Sequence, residues 1–439
     1  MVAPCEGGGV NILRERHRYF PITVPASIFL GFCCLAINVD VVKGATDAAV
    51  QASRNCDTPT TPFCDALMEP IAGWTGHVFK LAQQYPSTVP NDAQPWLAFD
   101  PTREPESYLK AALTYFYEGN IRSNVEESFD PSLNKVRQWY NAPWQDYGVN
   151  GREFIHGLTR ELESRPGTLD PHQTKSWSTY AVGFYNAPGG MTIGKVWANH
   201  GLFNEGYAMF PEGTVSAKLL FTTAPVEQVP YLAGAPEWNA YVYVEDPTIS
   251  LRREVKKVRL LQIDIAVKDK RAKDTGWVFG TYVYGGGPGS NRRGAGWYNV
   301  SAVGVMWGND LFDPATNQQS QTWLNGNVHM THYGHQGRLD GPLDDPQSSC
   351  MSCHSTAEWP PAQHMTPPIG SSPDETAKWF RNIRSDTPFD QGHTSLDYSL
   401  QLNVGMQNFL LAHPNLFKTV PLDTIKRYQA HPISRSGND

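Results

Sequence analysis

The chain has 439 residues and a formal net charge of −7, from 36 basic against 43 acidic residues. That balance excludes a nucleic-acid-binding surface as its main business, and 40 % hydrophobic with 18 % charged residues excludes wholesale disorder. The length suggests two or three folding units, and 38 glycines with 34 prolines point to many turns and irregular loops.

Residues 1–45 read as a signal peptide or an anchor. Arg14, Arg16 and Arg18 precede a stretch from Tyr19 to Val39 that carries no charge. A basic head, an apolar middle and a small-residue exit are the parts of a secretory signal. Cleavage is expected after Ala36, or alternatively near Ala45. An uncleaved anchor is the competing reading, although Pro21 and Pro25 weaken a spanning helix. Phe32 is too bulky for a lipoprotein cleavage box before Cys33. After residue 45 no apolar run approaches the length of a membrane span, so the body is expected to be soluble.

Residues 46–175 read as a helical and loop region. KAALTYFYEGNI, PSLNKVRQWYNAP and REFIHGLTREL place apolar residues at three- and four-residue steps. Cys56 and Cys64 lie in a short Pro/Thr loop and are expected to pair if the chain is exported.

Residues 176–310 read as a β-rich domain. STYAVGFYNA, MTIGKVWA, GTVSAKLLFTTA, WNAYVYVE, KVRLLQIDIAV and GWVFGTYVYGG are short, partly alternating and rich in Val, Ile, Tyr and Phe. No long helical pattern separates them, so an antiparallel β sandwich or barrel is expected. The glycine run at 285–289 lacks the Lys-Ser/Thr of a phosphate loop and reads as a hairpin loop.

Residues 311–439 contain Ser348-Ser349-Cys350-Met351-Ser352-Cys353-His354. With only seven cysteines and 13 histidines in the chain, an accidental Cys-x-x-Cys-His is rare. Two thiols three residues apart lie on one helical turn. They can add across the two vinyl groups of a haem to form thioethers, and the next imidazole can then bind the iron. A thioredoxin-like pair would instead follow a strand of a βαβ unit, whereas GRLDGPLDDPQSS is turn-rich. A zinc site would recruit histidines among His329, His332, His335 and His364. Downstream, DETAKWFRNIR and TSLDYSLQLNVGMQNFLLA read as helices. In the second, Thr394 and Asp397 suggest a capping box, and Tyr398, Leu402, Met406 and Phe409 share a face.

The motif resembles the attachment site of c-type cytochromes, and the chain as a whole resembles large single-haem periplasmic proteins of proteobacteria. The resemblance implies one covalent haem c, thioethers at Cys350 and Cys353, and His354 as proximal iron ligand. It also implies a location in the periplasm, where the attachment machinery works, which agrees with the signal-like N-terminus. The fold class is therefore α+β, with a helical or irregular N-terminal region, a central antiparallel sheet domain and a mainly α, cytochrome c-like C-terminal segment.

The second axial ligand decides the chemistry. Met406 and Met365 are the methionine candidates, and His329, His332, His335 and His364 the histidine ones. Arg338 is a candidate partner for a haem propionate, and Trp359 for packing on the ring edge. Two functional classes follow. One is a one-electron carrier whose partner is a redox protein or a small-molecule donor or acceptor. The other is a haem enzyme, a peroxidase or small-molecule oxidase, with an open distal side and a nearby His or Arg for acid–base help. Gas sensing ranks behind both. Neither class involves nucleic acid, and the membrane enters only through the N-terminal segment if it is uncleaved.

Overall fold

In the computed structural model, the described residues are 63, 71–146, 152–198, 202–244, 252–309 and 319–413. The signal or anchor stretch 1–45 and the Cys56–Cys64 pair lie outside them. No helix among the described residues is long and apolar enough to cross a membrane.

The centre is one eight-stranded antiparallel sheet. Its strands are β1 (Thr159–Arg160), β2 (Thr179–Tyr185), β3 (Val215–Thr222), β4 (Glu237–Tyr243), β5 (Arg253–Lys268), β6 (Trp277–Tyr284), β7 (Val300–Met306) and β8 (Thr322–Leu324). They run in the order β1-β2-β3-β5-β6-β7-β8, with β4 paired to the first half of β5. One open sheet thus replaces the expected sandwich or barrel. Its faces are covered by helices and irregular chain, and its two ends remain unpaired with each other. A two-stranded ribbon of β9 (Glu358–Trp359) and β10 (Thr394–Ser395) is separate.

Strand β6 shows how the layers form. All eight of its residues are buried, and successive side chains must point to opposite faces. On the even face, Tyr282 donates its hydroxyl to the Leu109 carbonyl at 2.6 Å. Leu109 belongs to helix α1 (Pro105–Tyr117), which begins at a proline, whose missing N–H would be unbonded in a first turn anyway. On the odd face, Phe279 lies 4.8 Å from the His354 ring and Thr281 Oγ1 lies 3.9 Å from Cys350 Sγ. Trp277 Nε1 donates to Asp397 at 2.7 Å. One apolar cluster fills each side. Ala48–Asp439 forms one compact unit, and β8, from the stretch that carries the Cys-x-x-Cys-His motif, extends the same sheet.

Several expected elements differ, each for a local reason. MTIGKVWA lies in a helix, α2 (Ala187–Val196), because Asn186 caps it and Pro188 opens it. PSLNKVRQWYNAP is irregular: the Asn134 side chain accepts from the Val136 and Arg137 amides at 2.8 and 3.1 Å, diverting them from helical bonds. REFIHGLTREL is a turn leading into β1, since Glu153 accepts from the Ile155 and His156 amides. Among the described residues, the C-terminal stretch is less helical than expected. It holds α3 (Cys350–His354), α4 (Pro373–Thr376) and α5 (Leu400–Ala412). Only α4 remains of DETAKWFRNIR, and α5 starts at the Ser399 cap, not at Thr394. The 285–289 glycines do form part of the β6–β7 hairpin loop.

Candidate functional site

The motif residues make up the whole of α3. A helix of five residues is too short to persist alone, and its ends are tied down from outside. Ser349 Oγ accepts from the Ser352 amide at 3.1 Å, and Ser352 Oγ accepts from the Ser349 amide at 2.7 Å, a reciprocal cap. The Cys350 amide donates to the Leu339 carbonyl at 3.1 Å. Met351 and Ser352 are buried in the body, while Cys350, Cys353 and His354 are partly exposed. The helix thus turns its three chemically active side chains away from its most buried face.

His354 is held in one tautomer. Its Nδ1 lies 2.9 Å from the Tyr398 backbone carbonyl, which can only accept, so Nδ1 carries the proton. Nε2 then keeps its lone pair, and among the described residues it has no hydrogen-bond partner. Burial lowers the imidazole to about 4, so the ring is neutral at neutral pH. A neutral imidazole with an oriented Nδ1–H is the form that binds a metal through Nε2.

The carbonyl that fixes His354 depends on Asp397. Asp397 and Tyr398 both adopt left-handed backbone, at φ 49° and 66°. Asp397 is fully buried and accepts from Lys268 Nζ at 2.6 Å, Trp277 Nε1 at 2.7 Å and the Phe210 amide at 2.7 Å. Three donors, two of them on the sheet, thereby set the turn that presents the Tyr398 carbonyl.

The thiols face an acidic group. Asp264 on β5 accepts from Thr281 Oγ1 at 2.8 Å and from Gln262 Nε2 at 2.9 Å. Gln262 also donates to Asp344 at 3.1 Å, and Ser348 Oγ to Asp340 at 3.5 Å. Burial, then the neighbouring Asp344 charge, pushes Asp264 up to about 7 and Asp340 well above the carboxylate range. Burial and then the charges of Asp340 and Asp344 push Cys350 well up and Cys353 to about 12. Both cysteines are free thiols. Their surroundings oppose the thiolate that a disulfide exchanger or a zinc site needs. Among the described residues, the one group bringing three potential metal-ligand side chains within 4.8 Å is Glu358, Asp390 and His393, which includes neither thiol.

The other candidates are dispersed. Arg338 is 1 % exposed, donates to the His335 carbonyl and to Gln336 Oε1, and lies 4.7 Å over the Phe380 ring. It lines a cavity of about 490 Å³ with His335 and Phe380. His335 stacks on Phe380 at 4.1 Å. Met406 is fully buried within α5, in the cluster that contains Met351. Met365 is 44 % exposed, and His329 and His364 are exposed. Trp359 meets Phe203 edge-on at 4.8 Å. Sequence reasoning missed Asp397 and Asp264, whose partners are remote in the chain. It also missed the Ser349–Ser352 cap, which was visible as Ser-x-x-Ser.

No family model, curated protein or solved structure gives a match to this chain. The functional reading therefore stands on the motif and its surroundings.

Proposed function

We propose that this chain is a periplasmic single-haem c-type cytochrome that transfers one electron at a time. The observation that carries the reading is the state of His354. Its Nδ1–H is fixed on the Tyr398 carbonyl, its Nε2 has no partner among the described residues, and it follows two reduced thiols on one capped turn. Cys350 and Cys353 would hold the haem as thioethers, S–H adding across each vinyl double bond with sulfur on one carbon and hydrogen on the other. His354 would supply a nitrogen to the iron, and Arg338 a buried guanidinium for a propionate. When bound, the iron porphyrin supplies a ferrous–ferric couple. The thiols' high affinity for protons suits this use, because they are consumed once, on maturation, and are not needed as thiolates in the finished protein.

The test is absorption of exported, matured protein, oxidised and reduced, with a pyridine haemochrome assay. Covalent haem that survives acid–acetone extraction is expected. Protein that matures colourless, or gives up its colour to the solvent, overturns the proposal.

A second reading, a haem enzyme, is favoured by Asp264. This acid holds a proton near neutral pH, one hydroxyl away from Cys350, and so is suited to proton transfer. Peroxide turnover that falls on Asp264→Asn favours the enzyme. Equal and negligible turnover in both proteins favours the carrier.

A further inference from the structure

We propose that His332 is the chain's second axial ligand to the haem iron. The inference rests on the single-haem reading above and names the residue that completes it.

Both ring nitrogens of His332 are shielded from solvent, and neither has a hydrogen-bond partner among the described residues. Buried polar atoms in folded proteins are almost always paired, and an exception marks a missing water, ion or cofactor. Of the other described histidines, only His156 also has both ring nitrogens shielded and without a hydrogen bond, and its Nε2 lies 3.3 Å from Glu126. His329 and His364 are exposed, and His335 stacks on Phe380. His77, His156, His172 and His393 face carboxylates. His354 and His413 are engaged through Nδ1 with backbone carbonyls. Thus the ring nitrogens of the half-buried His332 are shut off from solvent with no partner among the described residues.

Its loop is fixed rather than slack. The His329 amide donates to the Gly286 carbonyl at 3.1 Å, and Thr331 Oγ1 donates to the Thr168 carbonyl. On the far side of His332, the Gly334 amide donates to the Arg338 carbonyl at 3.0 Å. The His335 amide donates to the Ser348 carbonyl at 2.7 Å, one residue before the α3 cap. Gly287, at φ 81°, allows the loop to lie against the hairpin, because a Cβ there would strike the His329 carbonyl. Met330 and Tyr333, on either side of His332, pack against the apolar cluster that also receives Cys350. The loop is therefore strapped to the attachment helix at one end and to the sheet's hairpin at the other. The competing candidates lack these features: Met406 is packed in the interior of α5, and Met365 is largely exposed.

Ligation by two imidazoles also has a chemical consequence. Thioether sulfur stabilises ferrous iron and raises the potential, so a His332 ligand makes this a low-potential carrier relative to a methionine-ligated one.

The experiment uses the full chain matured in a haem-competent periplasm. Wild type, His332→Ala, His332→Met and the exposed-neighbour control His329→Ala are compared by optical and electron paramagnetic resonance spectroscopy. Haem content is measured separately by pyridine haemochrome. The expected wild type is low-spin, with the signature of two imidazoles and without the weak red band of methionine ligation. His332→Ala is expected to lose the low-spin signal and regain it with added imidazole. His332→Met is expected to gain the red band and a higher potential, and His329→Ala to match wild type. A wild type with the methionine band or a high-spin ferric signal overturns the proposal, as does a low-spin signal that persists in His332→Ala with haem attached. Wild type without covalent haem instead sinks the underlying reading, and this assignment with it. If the alanine variant fails to accumulate, the wild-type resonance spectrum alone decides.

Discussion

The Tyr398 carbonyl lies 2.9 Å from His354 Nδ1, and the residue before it, Asp397, is tied to the sheet by Lys268 and Trp277. The imidazole is thus oriented by a carboxylate that it never touches. Asp397 is a positioning residue.

Asp397→Ala leaves Lys268 buried without its partner, and breaking such a pair costs roughly 3–5 kcal/mol. Urea denaturation should show this loss as a lower midpoint. Asp397→Asn keeps the shape and an acceptor, so it should fold better than the alanine variant. In haem-loaded protein it should also shift the midpoint potential, because the Tyr398 carbonyl is less firmly set. A potential unchanged within error would reduce Asp397 to a purely structural part.

Asp264 titrates against the fold. Its folded pKa is raised to about 7 from an unfolded value of about 3.9. The folded state then binds more protons than the unfolded state between these values. Its contribution is complete below about pH 4 and is lost as pH rises through 7. His354 acts oppositely in the same window: its folded value of about 4 lies below the unfolded value of about 6.5. It therefore costs stability as pH falls. The haem-free wild type should show a shallow pH profile from 4 to 7. Asp264→Asn, which mimics the protonated acid, should gain on wild type as pH rises, most of all above 7, and match it near 4. Parallel curves for the two proteins would refute the assignment.

The thiols should be sluggish. With Cys353 at about 12 and Cys350 well raised, alkylation of haem-free folded protein at neutral pH should run about 10³-fold slower than for an ordinary thiol near 8.5. Urea-unfolded protein should react at the ordinary rate. Rapid labelling of the folded chain would instead favour a redox-active dithiol.

Close packing under the motif should be intolerant. A Cβ at Gly304 would strike the Trp323 carbonyl oxygen and Leu339, whose own carbonyl holds the Cys350 amide. Backbone cannot step aside as a flexible side-chain tip does, so Gly304→Ala should cost roughly 1–3 kcal/mol. Ser349→Ala, which removes the cap of α3, should cost about 1 kcal/mol. Thermal denaturation of the two variants gives the comparison.

What could be read from the sequence was local. Strands β2, β3, β5 and β6 were legible because Val, Ile, Tyr and Phe alternate within one short window. The Cys350–His354 turn was legible as a unit because its five residues are contiguous. The α1 pattern was recognised, but the helix starts earlier and ends by Tyr117, ahead of the left-handed Gly119. Asparagine and glutamate side chains that capture nearby amides misled the reading at Asn134 and Glu153, since apolar spacing does not register them. Asp397 read as a helix cap because its true partners, Phe210, Lys268 and Trp277, are more than a hundred residues away in sequence. The open sheet was hidden for a related reason: strand count and spacing do not reveal whether the first and last strands meet.

Strand β6 serves as a party wall, with α1 leaning on one side and α3 on the other. The cysteine–histidine turn is consequently not a detachable cassette. A fragment cut at residue 311 would abandon Phe279, Thr281 and Trp277, the masonry against which that turn is built, while retaining all of the turn's own residues. In this protein the site and the sheet must be inherited together, and an insertion that shifts β6 by a single residue would swap its two tenants.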